Sequence, residues 1–289
     1  MKILENEKPQ GMRIRQGFQT FMTQARGDTT FKEKLFDLVY VDVKLDKITP
    51  AFQNYKIINL TDIHIGQWIS PDYLDGVVDY VNSLNPDIIT LTGDYVSYIL
   101  EGYEDALLDS FKKLRAKDGK VAVLGNHDHW NDASKIRKIL KESDIIDLSN
   151  DVYTLEKDGQ LLNISGVDSC TVGQDDIDEV LEKLPKEGIS ILLAHEPDFA
   201  EISSKTKRFD LQISGHSHGG QLVIPLVKTT PFRFSYSIRY PVGAYKVRDM
   251  IQYTSKGLGT NSFWLRVNCK PEITLFTLKS KQRREIRIE

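Results

Sequence analysis

Ser214-Gly215-His216-Ser217-His218-Gly219-Gly220-Gln221 is the stretch of sequence that says most about the fold. It follows the short apolar run 210–213 and sets two histidines one residue apart between glycines. On an extended segment, side chains at positions i and i+2 point the same way, and glycine lets the backbone lie close to an ion. The stretch therefore predicts a metal-binding loop, on which other ligands of the chain should converge.

The six histidines of the chain all lie in loops, at positions 64, 127, 129, 195, 216 and 218. Five short, β-prone apolar runs each end just before a residue type that binds metals. These runs are 56–61 before Asp62 and His64, 87–92 before Asp94, 120–124 before Asn126, 189–194 before His195, and 210–213 before His216. Buried strands deliver site residues to the carboxyl edge of a sheet in this way. The steps from 62 to 94 and from 94 to 126 each have about the length of one βαβ unit.

Apolar spacing and turn residues predict further elements around these runs. A helix should begin at Ser70-Pro71, with serine as the cap and proline at the first helical position. More helices are predicted over 105–117, 132–142, 175–184 and 197–203, and more strands over 38–45, 152–155, 161–167, 244–247, 252–255 and 272–278. Three strand–helix alternations followed by a strand–turn–strand pattern indicate an α/β fold. We expect a four-layer αββα sandwich of two mixed sheets flanked by helices.

Length and composition set limits on the organisation of the chain. With 289 residues, 40% of them hydrophobic, it can bury a large core. We predict a polar N-terminal arm over 1–30 and a single catalytic domain over 31–289. Cys170 and Cys269 are too few for a disulfide framework, so we expect free thiols in a reducing compartment. Without a long apolar run or a signal-peptide segment, the sequence favours a soluble, cytoplasmic protein.

Charge is distributed unevenly along the chain. The formal net charge is −3, but residues 222–289 hold 13 Lys and Arg against 4 Asp and Glu. Aromatic residues are interleaved with these cations, including Phe232, Arg233, Phe234, Tyr236, Arg239, Tyr240, Phe263, Trp264 and Arg266. This composition suits peripheral contact with an anionic membrane surface, a phosphate-bearing substrate or nucleic acid. Ordinary β-hairpin faces with solvated charges are the alternative interpretation.

A series of motifs, D-x-H, G-D, G-N-H-D, a lone H and G-H-x-H, occurs in this order between 62 and 218. The series resembles that of the calcineurin-like metallophosphoesterases, and the resemblance covers roughly residues 56–221. It implies that Asp94 bridges two metal ions. It further implies one ion held by Asp62, His64 and His218, and a second held by Asn126, His195 and His216.

The residue types support a metal centre independently of the resemblance. Carboxylate, imidazole and amide oxygen without thiolate favour Mn²⁺, Fe or Zn²⁺, and a bridging carboxylate would hold two divalent ions about 3.5–4 Å apart. Metal-bound hydroxide would then attack phosphorus directly, without a serine or cysteine nucleophile. We therefore expect a metal-dependent phosphoester hydrolase.

Residues 127–130 follow the predicted ligand Asn126, and we expect them to have different roles. His127 is expected to face the phosphate as the catalytic residue, where it can stabilise charge or protonate the leaving oxygen. A structural role beside the metal is its alternative. Asp128 is expected to orient a neighbour. His129 and Trp130 fit a substrate pocket and a packed loop anchor equally well.

Differences between the motifs of this chain and those of related families narrow the range of possible substrates. The serine/threonine protein phosphatases continue their G-D motif as G-D-x-V-D-R-G, whereas Gly93-Asp94-Tyr95-Val96 runs on to Ser97-Tyr98 here. The chain looks closer to the bacterial branch of YkuE-like and YaeI-like phosphoesterases, with support from 255–259 and 269–273. Relatives of that branch include UDP-2,3-diacylglucosamine pyrophosphatases of lipid A synthesis, so a phosphodiester or a lipid diphosphate is the expected substrate. A nuclease, a cyclic-nucleotide phosphodiesterase and a non-catalytic scaffold are the alternatives, and no protein partner is predicted.

Overall fold

The computed structural model describes residues 31–66, 69–98, 100–224, 234–261 and 265–281. The predicted arm over 1–30 lies outside these ranges. So do Phe232, Arg233, Phe263 and Trp264 of the basic C-terminal part.

The first sheet has six strands: four adjacent strands are parallel to one another, and the other two run in the opposite direction. Its strands are β1 (Asp37–Leu45), β2 (Lys56–Leu60), β3 (Ile88–Thr92), β4 (Lys120–Val123), β5 (Ile146–Asp147) and β12 (Glu272–Ser280). They lie in the order β1-β12-β2-β3-β4-β5. The pair β12–β2 is antiparallel, and the pairs β1–β12, β2–β3, β3–β4 and β4–β5 are parallel. The carboxyl ends of β2, β3 and β4 therefore meet at one edge.

The second sheet also has six strands and is mixed. Its strands are β6 (Asp151–Lys157), β7 (Gln160–Gly166), β8 (Ile189–Leu193), β9 (Leu211–Ser214), β10 (Gly243–Val247) and β11 (Met250–Thr254). They lie in the order β10-β11-β9-β8-β7-β6. The hairpins β6–β7 and β10–β11 are antiparallel, and the central strands are parallel. The ends of β8 and β9 thus supply the second half of the predicted ligand set.

Helices connect the strands. They are α1 (Pro71–Ser83), α2 (Glu104–Lys113), α3 (Asn126–Asn131), α4 (Ala133–Glu142), α5 (Ile177–Lys183) and α6 (Ala200–Ser203). The Ser70 side chain accepts a hydrogen bond from the Tyr73 backbone N–H, so serine caps α1 as predicted. None of the helices in the described ranges is long and apolar enough to cross a lipid bilayer.

Three apolar clusters separate four layers. Strand residues alternate between them: Ile57 and Ile88 face the cluster between the sheets, while Ile58 and Ile89 face α1 and α2. In the second sheet, Ile191 and Leu193 point to the inter-sheet cluster. Leu192 instead packs with Val180 of α5. This alternation, with helices outside both sheets, is the αββα sandwich that the sequence predicted.

Several elements differ from their predictions: the two-residue strand β5 was not predicted, and the helix predicted over 197–203 is a 3₁₀ turn followed by the short α6. Helix α2 ends at Lys113 and not at Lys117, because the side chain of Asn82 in α1 binds the Lys113 carbonyl at 2.8 Å and the Arg115 N–H at 2.8 Å. Helix α3 was not predicted, since its six residues are polar and too few to show an apolar period.

Candidate metal centre

The predicted ligands converge where the two sheets meet at their carboxyl edges. Asp62 and His64 follow β2, Asp94 follows β3, Asn126 follows β4, His195 follows β8, and His216 and His218 follow β9. All seven side chains are buried, with at most 8% of any residue exposed. Residues up to 156 positions apart in sequence are thus gathered in one interior site, as the strand-end pattern predicted.

One group of donor atoms is formed by Asp62, His64, Asp94 and His218. The Nε2 atoms of His64 and His218 lie 3.1 Å apart. Asp62 Oδ1 is 3.4 Å from His218 Nε2, and Asp94 Oδ2 is 3.6 Å from His64 Nε2. Two ring nitrogens that face each other beside two carboxylates fit a divalent cation.

A second group is formed by Asp94, His195 and His216. His195 Nε2 lies 3.2 Å from Asp94 Oδ2 and 3.2 Å from His216 Nδ1. Asp94 is the member that the two groups share, which is the position expected of a bridging carboxylate.

Backbone carbonyls orient two of the imidazoles. The His195 Nδ1–H donates to the Thr92 carbonyl at 2.7 Å, and the His216 Nε2–H donates to the Ser235 carbonyl at 2.8 Å. Since a carbonyl oxygen can only accept, each bond fixes a proton on the outer nitrogen, so the nitrogen that faces the site is the one available to bind a metal ion. These are the tautomers that metal ligation requires.

Asn126 supplies an independent indication of a missing partner. Its Oδ1 atom is buried and has no hydrogen-bond partner in the described part of the chain. A buried acceptor without a partner is costly, and an amide oxygen is a suitable ligand for a divalent ion. The residues present therefore fit a metal ion, which would satisfy this oxygen.

The backbone of the site loops is left-handed at five ligands. Asp62, His64, Asp94, His216 and His218 have φ between 49° and 67°. Asp and His adopt this region more readily than branched residues do, and clustered left-handed residues are typical of functional sites. The expectation that 216–218 is extended is therefore wrong. His218 starts a short 3₁₀ turn, and the two rings enter different donor groups.

Glycines permit the close approach of these loops. A Cβ atom at Gly125 would overlap the Asp94 carboxylate, and one at Gly215 would overlap Thr61 Oγ1 and Asp62 Oδ2. The glycines of G-N-H-D and G-H-x-H are thus required by contact between ligand loops, as the sequence indicated for the second motif.

Burial and neighbouring charge perturb the acidities of the site. Burial raises the pKa of Asp62 to about 7. Burial also acts on Asp94, but the His195 and His127 imidazoles beside it hold its pKa well below the usual range. The Asp94 carboxylate in turn overcomes the burial of His195 and raises the pKa of that imidazole. Metal-free, the site therefore stores protons that an incoming cation would displace.

His127 lies beside the donor groups but belongs to neither. Its ring centroid is 4.8 Å from that of His64. Its Nδ1–H donates to the Ser97 carbonyl at 2.9 Å, and its Nε2 contacts the Asn261 amide nitrogen at 3.2 Å. Its backbone N–H donates to Asp94 Oδ1 at 2.9 Å. The ring is therefore fixed next to the centre without being part of it.

The three residues that follow His127 in sequence make different contacts. Asp128 accepts the backbone N–H groups of Asp94, Tyr95 and Gly125 at 2.8–2.9 Å, so it positions the Asp94 loop against α3. His129 Nε2 lies 2.6 Å from Asp168 Oδ1, which makes it an anchor between α3 and the second sheet. Trp130 is 58% exposed, and its ring lies 4.8 Å from that of His127. Of the two interpretations of these positions, the anchor applies to His129, and the substrate pocket stays a prediction for Trp130.

Two cations of the basic C-terminal part are largely withdrawn from solvent: Arg266 completely, and Lys256 with 17% of its side chain exposed. Arg266 is fully buried and donates to the carbonyls of Lys256, Gly257, Gly259 and His218. Lys256 Nζ lies 3.0 Å from Asp37 Oδ2 and 3.6 Å from Glu272 Oε2. Arg266 therefore cannot contact a membrane. It ties the 256–259 loop to the G-H-x-H loop.

Three further residues lie at the site that the sequence did not predict as site residues. Tyr98 and Asn261 each contact His127, and they are hydrogen-bonded to each other. The ring of Phe234 lies 6.2 Å from that of His218. Tyr98 and Asn261 are separated by 163 positions, and no periodicity links them. The only available signal was that Asn261 follows the 255–259 segment singled out for its resemblance.

Comparisons with known proteins give a consistent result. The family profile described as calcineurin-like phosphoesterase matches residues 55–220. The chain is 33% identical over 244 residues to the uncharacterized metallophosphoesterase YkuE of Bacillus subtilis, with 82% of this chain and 84% of YkuE aligned. It is 30% identical over 228 residues to the phosphodiesterase YaeI of Escherichia coli, with 78% and 82% aligned. It is also 30% identical over 253 residues to the uncharacterized metallophosphoesterase YkoQ of Bacillus subtilis, with 81% and 89% aligned.

Proposed function

The chain belongs to the calcineurin-like phosphoesterase family and is a metal-dependent phosphoester hydrolase, and from this premise we propose that it cleaves phosphodiesters or diphosphates at a centre of two divalent ions. One observation carries the proposal: two groups of nitrogen and carboxylate donors share Asp94.

The proposed ligands divide as the resemblance implies. Asp62, His64 and His218 would hold one ion, Asn126, His195 and His216 the other, and Asp94 would bridge them. The donor set of nitrogen and oxygen atoms suits Mn²⁺, Fe or Zn²⁺. Bound there, the ions would acidify water and neutralise charge on the phosphoryl oxygens.

His127 is proposed as the catalytic residue. Its Nδ1 proton is held by the Ser97 carbonyl, so Nε2 is the atom left to exchange a proton with substrate. In hydrolysis, an attacking water gives up one proton to solvent as its oxygen forms the new bond to phosphorus, and the bond to the leaving oxygen breaks. The leaving oxygen keeps the electron pair and takes a proton from Nε2 of the doubly protonated His127 imidazole, which is left neutral with its Nδ1–H on the Ser97 carbonyl.

We propose both the class of ester that the enzyme hydrolyses and a natural substrate of that class. The relative YaeI is named a phosphodiesterase, which supports a diester over a monoester. A lipid-linked diphosphate such as UDP-2,3-diacylglucosamine remains our proposal for a natural substrate, on the basis of the family resemblance. Its hydrolysis would place the enzyme in lipid A biosynthesis.

A substrate panel tests the proposed function. The metal-loaded protein would be assayed with a generic diester, a phosphomonoester, cyclic nucleotides, single-stranded DNA, UDP-glucose and UDP-2,3-diacylglucosamine, each with Mn²⁺, Fe²⁺ and Zn²⁺. We expect hydrolysis of the diester and the diphosphates. Cleavage of DNA or of cyclic nucleotides alone would favour the nuclease or cyclic-nucleotide alternatives. Release of phosphate from monoesters alone would contradict the proposal.

Peripheral binding to the cytoplasmic face of an anionic membrane is a separate proposal. Among described residues of the basic part, Arg239 has 67% of its side chain exposed, although it also pairs with Glu201 at 3.5 Å. Sedimentation with anionic vesicles at low and high salt tests this proposal, since such binding weakens with ionic strength. Arg239→Glu should reduce the bound fraction. Absence of wild-type binding at low salt would contradict it.

A further inference from the structure

Two exposed aromatic side chains contact the proposed catalytic residue. The ring of Tyr98 lies 5.1 Å from that of His127, and the ring of Trp130 lies 4.8 Å from it. Tyr98 is 54% exposed and Trp130 is 58% exposed. A single exposed aromatic residue is ordinary in a soluble domain. Here, however, two of them come from separate segments and meet the same imidazole.

Hydrogen bonds hold Tyr98 in place. Its hydroxyl donates to Asn261 Oδ1 at 3.1 Å, and the nitrogen of the same amide contacts His127 Nε2 at 3.2 Å. The Asn261 backbone N–H donates to the Gln221 side-chain oxygen at 2.5 Å. The tyrosine ring is therefore positioned by the same group that contacts the reactive nitrogen of His127.

Trp130 is positioned by the helix that carries His127. The Asn131 side chain donates to the Ser97 carbonyl at 3.0 Å and to the His127 carbonyl at 2.8 Å. It thereby joins the Tyr98 segment to α3. The two rings and the imidazole are a pre-organised set, and ordering them on substrate binding costs little entropy.

We propose that Tyr98 and Trp130 form a leaving-group subsite that binds a planar unsaturated ring, such as an aryl group or a nucleobase, on the alcohol side of a phosphodiester. The inference rests on the proposed role of His127. If His127 Nε2 protonates the leaving oxygen, the group attached to that oxygen must lie within a few ångströms of this ring, where the two exposed aromatic faces are. Stacking on aromatic side chains favours flat rings over saturated groups of the same size.

Kinetics with two matched diesters test the subsite. Methyl phenyl phosphate and methyl hexafluoroisopropyl phosphate have leaving alcohols of similar acidity, but only the first leaving group is a flat ring. The wild type should favour the phenyl ester in kcat/KM. Trp130→Ala should lower the phenyl-to-fluoroalkyl ratio about 10-fold, the scale of one stacking contact.

Further variants distinguish the contribution of the Tyr98 ring to the ratio from that of its hydroxyl and from general effects of changing a surface residue. Tyr98→Leu should lower the ratio, whereas Tyr98→Phe keeps the ring but loses the hydrogen bond to Asn261 and should lower the ratio less. Tyr40→Ala is the matched surface control, since Tyr40 of β1 is also exposed, at 63%. It should leave the ratio unchanged.

Binding of phosphonates provides a second measurement that does not depend on turnover. Calorimetry should show that the metal-loaded wild type binds phenylphosphonate more tightly than cyclohexylphosphonate, and that Trp130→Ala loses this preference. A wild type that hydrolyses both esters without preference would overturn the subsite and leave the proposed function intact. A preference that persists in both Trp130→Ala and Tyr98→Leu would overturn it too. A wild type that hydrolyses neither ester with any metal would overturn both proposals.

Discussion

Asp94 is the single residue that both donor groups contain, and its substitution should affect both. Asp94→Asn removes the shared charge, so we expect metal content to fall from about two ions per chain to near none. His64→Ala removes a donor of one group only and should retain about one ion. Elemental analysis of the purified variants measures this difference. Equal retention in the two variants would count against the bridging role.

His127 should influence turnover without influencing metal content. We expect His127→Ala to lower kcat by roughly 10²–10⁴-fold, the usual effect of losing a positioned acid. Asp94 keeps its contact in this variant, because it accepts the backbone N–H of residue 127. Esters with good leaving groups should be less affected. A variant that loses one metal equivalent would place His127 among the ligands instead.

The identity of the site residues could be predicted from the sequence. Their backbone conformation could not. The ordered motifs predicted which side chains would meet, because parallel strands end at a common edge. Their backbone conformation could not be read, since left-handed φ values at His216 and His218 depend on contacts with loops after β2 and β11. The same holds for Tyr98 and Asn261, which meet only through the fold.

Arg266 links elements of both sheets and should contribute strongly to stability. Arg266→Leu would leave the carbonyls of the 256–259 loop and of His218 without their donor. We expect a loss of about 3–5 kcal/mol in the free energy of unfolding. Arg239→Leu is the control, because that exposed side chain should contribute less than about 1 kcal/mol. Urea unfolding of the two metal-free variants measures both, and similar losses would refute the structural role of Arg266.

Helices and strands were predicted correctly where the spacing of apolar residues and the capping residues indicated the same element. The strands β2, β3, β4, β8 and β9 and the helix α1 lie within one or two residues of their predicted bounds. The predictions failed where side-chain contacts between elements decide the outcome. The end of α2 is set by Asn82 of another helix, and α3 is a polar helix whose first turn is joined to the Asp94 loop by Asp128.

The molecule as a whole should couple metal binding to proton release. Burial raises the pKa of Asp62 to about 7 in the metal-free protein, and a ligand carboxylate must be deprotonated. As pH falls through 7, Asp62 takes up a proton, so metal affinity should decrease. Calorimetric titrations at pH 6 and pH 8, in buffers of different ionisation enthalpy, measure the affinity and the protons released. Equal affinity at both pH values would contradict this coupling.

Chelation followed by metal restoration tests the central claim most directly. Wild-type protein would be stripped exhaustively, its metal content measured, and hydrolysis of bis(p-nitrophenyl) phosphate followed as Mn²⁺ is added back. We predict no activity in the stripped protein and a rise that saturates at about two ions per chain, because both donor groups must be filled. Full hydrolysis by protein shown to contain no metal would contradict the account.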